Sequence, residues 1–314
     1  MAAPFGAAIS QSAPSSPRTL TLRIDNDAFD FWMKPWNRPD EEYTSGVHVT
    51  EDGGDAPRWA HALLASMPVC APRLAECRTG RIEIGQDIYT PSVSVDSAHA
   101  APGSRPNAGW LYLSESARRL RVDRSDELTI ALGVTGPPSL ARQMQRLAHD
   151  VAPAFNRPTD WSSQIGFEPG LLVRYAQERR IGGNGDAPLG FDLLPRVAAT
   201  IGNVRTDAEI GFRARGGWHL AHPWLPSDGA TSVALTIGAS ARAIARDLFL
   251  DGNTFTMSPR VGHEPVVGEG EAGLELRRGR FMVAYRAATD TRAYAAGPRW
   301  HPWSSLVGAF TYAR

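Results

Sequence analysis

The sequence predicts an all-β fold, a twelve-stranded antiparallel transmembrane β-barrel interrupted by one short helix. Three observations carry this: period-two alternation repeated along the chain, strand-like segments long enough to cross a bilayer, and aromatic residues near segment ends. Leu20, Leu22 and Ile24 alternate with Thr21, Arg23 and Asp25, and Ala208, Ile210, Phe212 and Ala214 alternate with Glu209, Gly211, Arg213 and Arg215. A soluble sandwich would turn the apolar face to a second sheet, whereas a membrane barrel turns it to lipid and lines its lumen with the polar face. Alternation is common to both. Length favours the barrel, because the segments approach the roughly 9–11 residues that cross a bilayer at a tilt. So do their even number and the placing of Trp32, Trp36, Tyr89, Trp110 and Trp300 where interfacial girdles form.

Strands are predicted over 19–27, 43–51, 80–90, 108–122, 126–135, 168–180, 189–202, 204–216, 231–247, 268–278, 280–293 and 304–313. Short turns at 123–126 and 182–186 suit hairpins of an up-and-down barrel. Longer insertions fall at 28–42, 91–107 and 136–167, and all three open at one rim if Asp27 tops an upward first strand. The helix follows Pro137 and Pro138, with Ser139 as expected N-cap and Leu140, Met144, Leu147 and Val151 at helical spacing. Arg142, Gln145 and His149 share another of its faces, and Pro153 ends it.

Composition narrows the function classes. The 314 residues carry 33 basic and 33 acidic side chains, so the electrostatic footprint of a nucleic-acid binder is missing and no nucleic-acid partner is expected. No run approaches the roughly 18 apolar residues of a membrane-spanning helix. Residues 1–18, rich in Ala, Ser and Pro, are expected to be a disordered or trimmed segment ahead of a barrel domain over 19–314. Cys70 and Cys77 lie in a loop bounded by prolines and glycine, where they either close a small disulfide ring or remain two thiols. Arg118, Arg119, Arg121 and Arg124 are expected to be interfacial or periplasmic cations.

Two places could carry chemistry. Asp25, Asn26 and Asp27, with Asp30 nearby, concentrate oxygen donors of the kind a hard cation such as Ca²⁺ prefers, although Asp and Asn also initiate turns. The glycine and terminal glutamate of a helix–loop–helix calcium loop are missing. His149 stands one turn after Gln145 inside a large insertion, where an imidazole could serve as a base or simply be solvated. No serine sits in a Gly-x-Ser-x-Gly elbow, which removes support for a strand–turn–helix serine hydrolase. Asn26 shares strand parity with Leu22 and Asp27 with Arg23, so a single site can use both only at the rim, where the strand ends.

The motifs DND (25–27), YTSG (43–46), GQDIYTPS (85–92), RPNAGWLY (105–112), TGPPSLARQMQRLAH (135–149) and WSSQIGFEPG (161–170) occur in that order. Together they resemble the outer-membrane lipid A 3-O-deacylase family. The resemblance implies a twelve-stranded barrel in the bacterial outer membrane, with its active site near the outer leaflet between the wall and a short extracellular helix. It further implies Ca²⁺-dependent hydrolysis of the 3′-linked acyl ester of lipid A by a monomer. Asn26, Asp27, Thr44 and His149 fall on the family's functional positions, and Gln145 on its glutamine one turn upstream. The roles this suggests are His149 as base, Asp27 as principal Ca²⁺ ligand, Asn26 as polar ligand or oxyanion donor and Thr44 as orienting hydroxyl. Ser104, Asn107 and Phe155 depart from the family pattern. The competing reading on the same scaffold is a non-enzymatic barrel, a small pore or a structural protein.

Overall fold

Every segment with period-two alternation forms a strand, and each strand pairs with its neighbours in the chain. In a computed structural model, which describes residues 17–27, 41–71, 74–92, 101–151, 160–183, 187–226 and 229–312, these are β1 (Arg18–Asn26), β2 (Glu42–Gly53), β3 (Glu76–Thr90), β4 (Ala108–Arg121), β5 (Arg124–Thr135) and β6 (Pro169–Arg179). They continue with β7 (Ile181–Gly182), β8 (Leu189–Gly202), β9 (Arg205–Trp218), β10 (Ser232–Asp247), β11 (Val266–Arg278), β12 (Phe281–Thr291) and β13 (Trp300–Tyr312). All pairings between the strands are antiparallel, β1 meets β13, and β6 meets β8, so the sheet closes on itself. The two residues of β7 pair with Leu193 and Asp192 of β8 in the register that β6 sets, and extend β6 rather than adding a stave. The result is a closed barrel of twelve long strands, as the periodicity predicts.

The two faces of the wall differ as the alternation requires. Leu235, Ile237 and Ile210 point outward and are more than 60% exposed, and Leu22, Leu113 and Leu132 join them. A continuous apolar belt of this kind faces lipid, not water. The lumen is crossed by ion pairs instead: Arg81 and Arg118 each reach both Asp52 and Glu127 at 2.8–3.2 Å. Arg174 and Arg196 converge on Glu209, and Arg213 and Arg286 on Glu271. A charge placed in the belt has no such partner. The Ile237→Arg variant is therefore expected to lower barrel stability by about 2–4 kcal/mol, measured by denaturant titration in lipid vesicles.

The four arginines predicted as interfacial or periplasmic cations divide by parity. Arg118 points into the lumen and is a correction to that expectation, since it lies on the same face as Ser114 and Ser116. Arg119 and Arg121 bond Glu76, and Arg124 bonds Asp126. At this end Cys70 and Cys77 form a disulfide, buried with Leu120 against Leu74, Trp224 and Leu225. Trp224 donates its indole N–H to the Arg121 carbonyl at 2.5 Å.

The opposite rim carries four long insertions, at 27–41, 91–107, 136–168 and 248–265, against 54–75 and the shorter 219–231 at the disulfide end. By loop length it is the extracellular rim. After the four residues of α1 (His61–Leu64) in the other rim, the next helix is α2 (Ala141–Val151), in the third long insertion. It does not begin on a Ser139 cap. Pro137–Ser139 form a 3₁₀ turn, Ser139 donates its hydroxyl to the Gly136 carbonyl at 2.6 Å, and Leu140 adopts a left-handed conformation before the helix starts. The two prolines at the head of the turn supply the fixed φ that 3₁₀ geometry accepts. In the fourth insertion, α3 (Leu248–Asp251) buries Leu248, Phe249 and Leu250, the first two against Trp110, Val204 and Ile165.

Candidate active site

The outward face of the wall changes character towards the extracellular rim. On β1, Leu20 and Leu22 give way to Asn26. On β3, Ile82 and Ile84 are followed on the same face by Gln86, Ile88 and Thr90, all buried. Something covers them, and for Gln86 and Ile88 it is the third insertion. Gln86 donates its side-chain amide to the Ser139 carbonyl at 2.6 Å, and Ile88 packs against Ala141 at the start of α2 and against Trp161. Gly109 of β4, paired with Ile88, leaves the room: a Cβ there would lie 2.2 Å from Ser139 Oγ and 2.4 Å from Ala141 Cβ. The helix thus docks on the lipid-side surface of β3 and β4, at the rim.

Thr44 reaches the same side through a β-bulge. The β2–β3 register shifts between Tyr43, paired with Tyr89, and Ser45, paired with Ile88, so Thr44 is the extra residue. Its hydroxyl lies 2.6 Å from that of Thr90, and its carbonyl accepts the Asn26 side-chain amide at 2.9 Å. Asn26 is itself paired with Ser45 on β2 and Ser304 on β13. Asp27, just beyond the end of β1, is buried and accepts the Glu41 backbone N–H at 2.8 Å. Asn26, Asp27 and Thr44 therefore form one cluster, and β3 links it to the seat of α2.

Gln145 stands on the buried side of α2 and accepts the Trp161 indole N–H at 2.8 Å, which ties the helix to the returning chain. The backbone of His149 is in the third turn of α2, but its side chain lies outside the described residues, as do Asp30 and Phe155. The returning chain is fixed in turn. Asn107 donates to the Asp160 carbonyl at 2.6 Å, and Gly166 N–H donates to Asn253 at 2.7 Å. Glu168 accepts from Asn203 and from Thr254 N–H, both at 2.6 Å. Burial pushes the Glu168 carboxyl up, and these hydrogen bonds outweigh it, so the group stays below the usual carboxylate range.

On the lumenal side of the same strands lies a separate polar cluster. Tyr43 donates its hydroxyl to Asp25 at 2.8 Å and to Asp87 at 3.2 Å, and Ser305 donates to Asp25 at 2.6 Å. His48 stands between the two aspartates and 3.0 Å from the Tyr112 hydroxyl, which donates to Glu83. Beneath it is a cavity of about 430 Å³ lined by Arg23, Glu83, Asp87 and Tyr112. Among the described residues, no group of three or more His, Cys, Asp or Glu is arranged to hold a metal ion.

The family model for the outer-membrane protein LpxR matches residues 1–312. The chain belongs to the LpxR outer-membrane protein family. Its place is accordingly the bacterial outer membrane, in keeping with the lipid-facing belt. Among solved structures, LpxR from Salmonella typhimurium is 17% identical and superposes with a TM-score of 0.72 over 93% of this chain and 99% of that one. At that identity the match establishes the shared barrel. The beta domain of the Bordetella autotransporter BrkA is 12% identical over 96% of this chain and 100% of its own, with a TM-score of 0.46. No curated protein matches the chain.

Sequence reasoning named Asn26, Asp27, Thr44 and Gln145 and missed the residues that position them: Tyr43, Gln86, Thr90, Gly109 and Trp161. A readable signal existed for two of these. Gln86 and Thr90 are polar residues on the parity of Ile82 and Ile84, late in a strand whose lower half faces lipid.

Proposed function

We propose that the chain is a Ca²⁺-dependent carboxylic ester hydrolase that removes the 3′-linked acyl or acyloxyacyl group of lipid A in the outer leaflet, working as a monomer. The observation that carries this reading is the side of the wall: Asn26, Thr44 and the seat of α2 lie outside the barrel at its extracellular rim. A lipid of the outer leaflet meets that surface directly, whereas the lumen is closed to it. Family membership adds to the same reading.

Asp27, a buried carboxylate, and the side-chain oxygen of Asn26, whose NH₂ group rests on the Thr44 carbonyl, are oxygen donors of the kind a hard cation takes. Bound there, Ca²⁺ would supply polarisation of the ester carbonyl and charge to balance the oxyanion. The chain's own groups do the rest. His149 takes a proton from the attacking water and returns it to the leaving alcohol. Gln145, fixed by Trp161, holds α2 one turn before His149, and the Thr44 hydroxyl, held by Thr90, orients the substrate. A small pore would depend on the lumen, and the Arg–Asp and Arg–Glu pairs spanning it favour the esterase over that alternative.

Lipid A extracted from cells expressing the protein is expected to lose the 3′-linked group by mass spectrometry. With purified protein, a Ca²⁺ chelator should stop the loss and added Ca²⁺ restore it. Intact lipid A beside a folded, membrane-inserted barrel would remove the proposal, and deacylation indifferent to chelation would remove its cation.

A further inference from the structure

The lumenal cluster has no part in the proposed chemistry, yet it sits directly behind the residues that do. We infer that Tyr43 is a positioning residue for the outward-facing site, acting through the β-bulge it anchors. This rests on the esterase reading for its effect on rate, but the anchoring itself is a property of the wall.

Three strands meet at the Tyr43 hydroxyl. Asp25 is the residue before Asn26 on β1, and Asp87 lies on β3, three residues before Thr90, so one phenol fastens the bulge to both neighbouring strands. Its ring is held between Tyr89 at 5.4 Å and Trp303 at 5.2 Å between centroids. Its backbone N–H donates to His301 Nε2 of β13, at 3.3 Å. The space for the hydroxyl is made by Gly46, where a Cβ would lie 2.1 Å from it. A bulge leaves one residue outside the ladder, so its direction depends on what holds its flanks. Here Tyr43 is drawn inward by two carboxylates and Thr44 turns outward to Thr90 and Asn26. The YTSG motif therefore reads as a lumenal anchor, an outward site residue, an outward ladder residue and the vacancy the anchor fills.

Tyr43 does not touch the outer surface through its side chain, so loss of its hydroxyl should lower turnover and leave substrate capture intact. Tyr43→Phe keeps the ring contacts and removes both carboxylate bonds. With lipid A as substrate, kcat is expected to fall about 10²-fold, the cost of displacing a reacting group by about 1 Å, while KM changes less than about threefold. Gly46→Ala should give a comparable loss by forcing the hydroxyl aside. Ser116→Ala, which removes a lumenal hydroxyl bonded to Thr129 lower in the barrel, should leave kcat unchanged. Hydrogen–deuterium exchange supplies a readout independent of activity. Amides over residues 41–47 should exchange faster in Tyr43→Phe and those of β8–β11 should not. Unchanged exchange over 41–47 overturns the inference whether or not the wild type deacylates lipid A. An inactive wild type with the expected exchange change overturns only the enzymatic reading, and an active wild type with full turnover in Tyr43→Phe overturns the positioning role.

Discussion

Replacing His149 by alanine is expected to lower the rate of lipid A deacylation by about 10²–10⁴-fold, the contribution of a positioned general base. The barrel should remain as stable as the wild type, because α2 lies on the outside of the wall at its rim and supports none of the strand pairing. The distinguishing measurement is the pH dependence of kcat/KM. An imidazole works as a base only in its neutral form, so the wild-type rate should carry a limb that rises with pH. The residual activity of His149→Ala should lack that limb. His149→Gln should be no better, since an amide can hold a water but cannot take its proton. Wild-type activity in His149→Ala would remove the histidine from the mechanism and leave the cation site to be tested alone.

The barrel was legible in the sequence because a strand of period two records both of its environments. Leu20, Leu22 and Ile24 against Thr21, Arg23 and Asp25 state that one face meets lipid and the other a polar interior, and the register bears this out residue by residue. What the pattern cannot encode is a place where the period fails. Thr44 was named by resemblance, but its outward direction comes from a bulge, and a one-residue shift of register is invisible until both paired strands are known. The start of α2 was misread for a related reason. A serine before an apolar helical repeat looks like a cap, yet two prolines and a left-handed Leu140 make a separate turn first. Arg118 cannot be placed from sequence, because adjacent arginines on a strand point to opposite faces and only the register of β4 tells which is lumenal.

The six motifs gain a common physical meaning from these strands. The four that lie on strands divide by parity between lumenal groups that hold the rim together and groups on the outer face, while 135–149 and 161–170 belong mostly to the insertion that covers that face. In DND, Asp25 is inside and Asn26 outside; in GQDIYTPS, Asp87 and Tyr89 are inside, and Gln86, Ile88 and Thr90 are outside. Gly85 makes way for the Tyr112 ring, which a Cβ would meet at 2.4 Å, and Gly170 makes way for Trp110 at 2.2 Å. These motifs are thus concentrated where an outward site must be braced from within, and none falls on β8–β13, although Trp303 and Ser305 of β13 brace the same rim.

That bracing makes Gly109 the position where a single methyl group should cost most without touching a reacting atom. The Cβ of any replacement would be 2.2 Å from Ser139 Oγ and 2.4 Å from Ala141 Cβ, well inside contact distance, and neither neighbour is free to retreat. Ser139 is held by its own hydroxyl bond to Gly136 and by the Gln86 amide on its carbonyl, while Ala141 is packed against Ile88 and Trp161. Strand β4, paired with β3 from Ala108 and with β5 from Trp110, is stiffer than an insertion docked by its first turn, so the helix should move. Gly109→Val is therefore expected to lift the start of α2 from the wall and carry His149 with it, lowering kcat by about 10²-fold or more. Overpacking at the rim should cost about 1–3 kcal/mol of stability, a loss that a closed barrel survives. Leu111→Val, on the same face two residues further from the rim, removes volume instead of adding it and should retain activity. Mass spectrometry of lipid A from cells expressing either variant at matched levels of folded barrel decides the matter. If Gly109→Val deacylates as fast as the wild type, the helix does not depend on this seat, and a chemistry that relies on α2 being held against the outer wall fails with it.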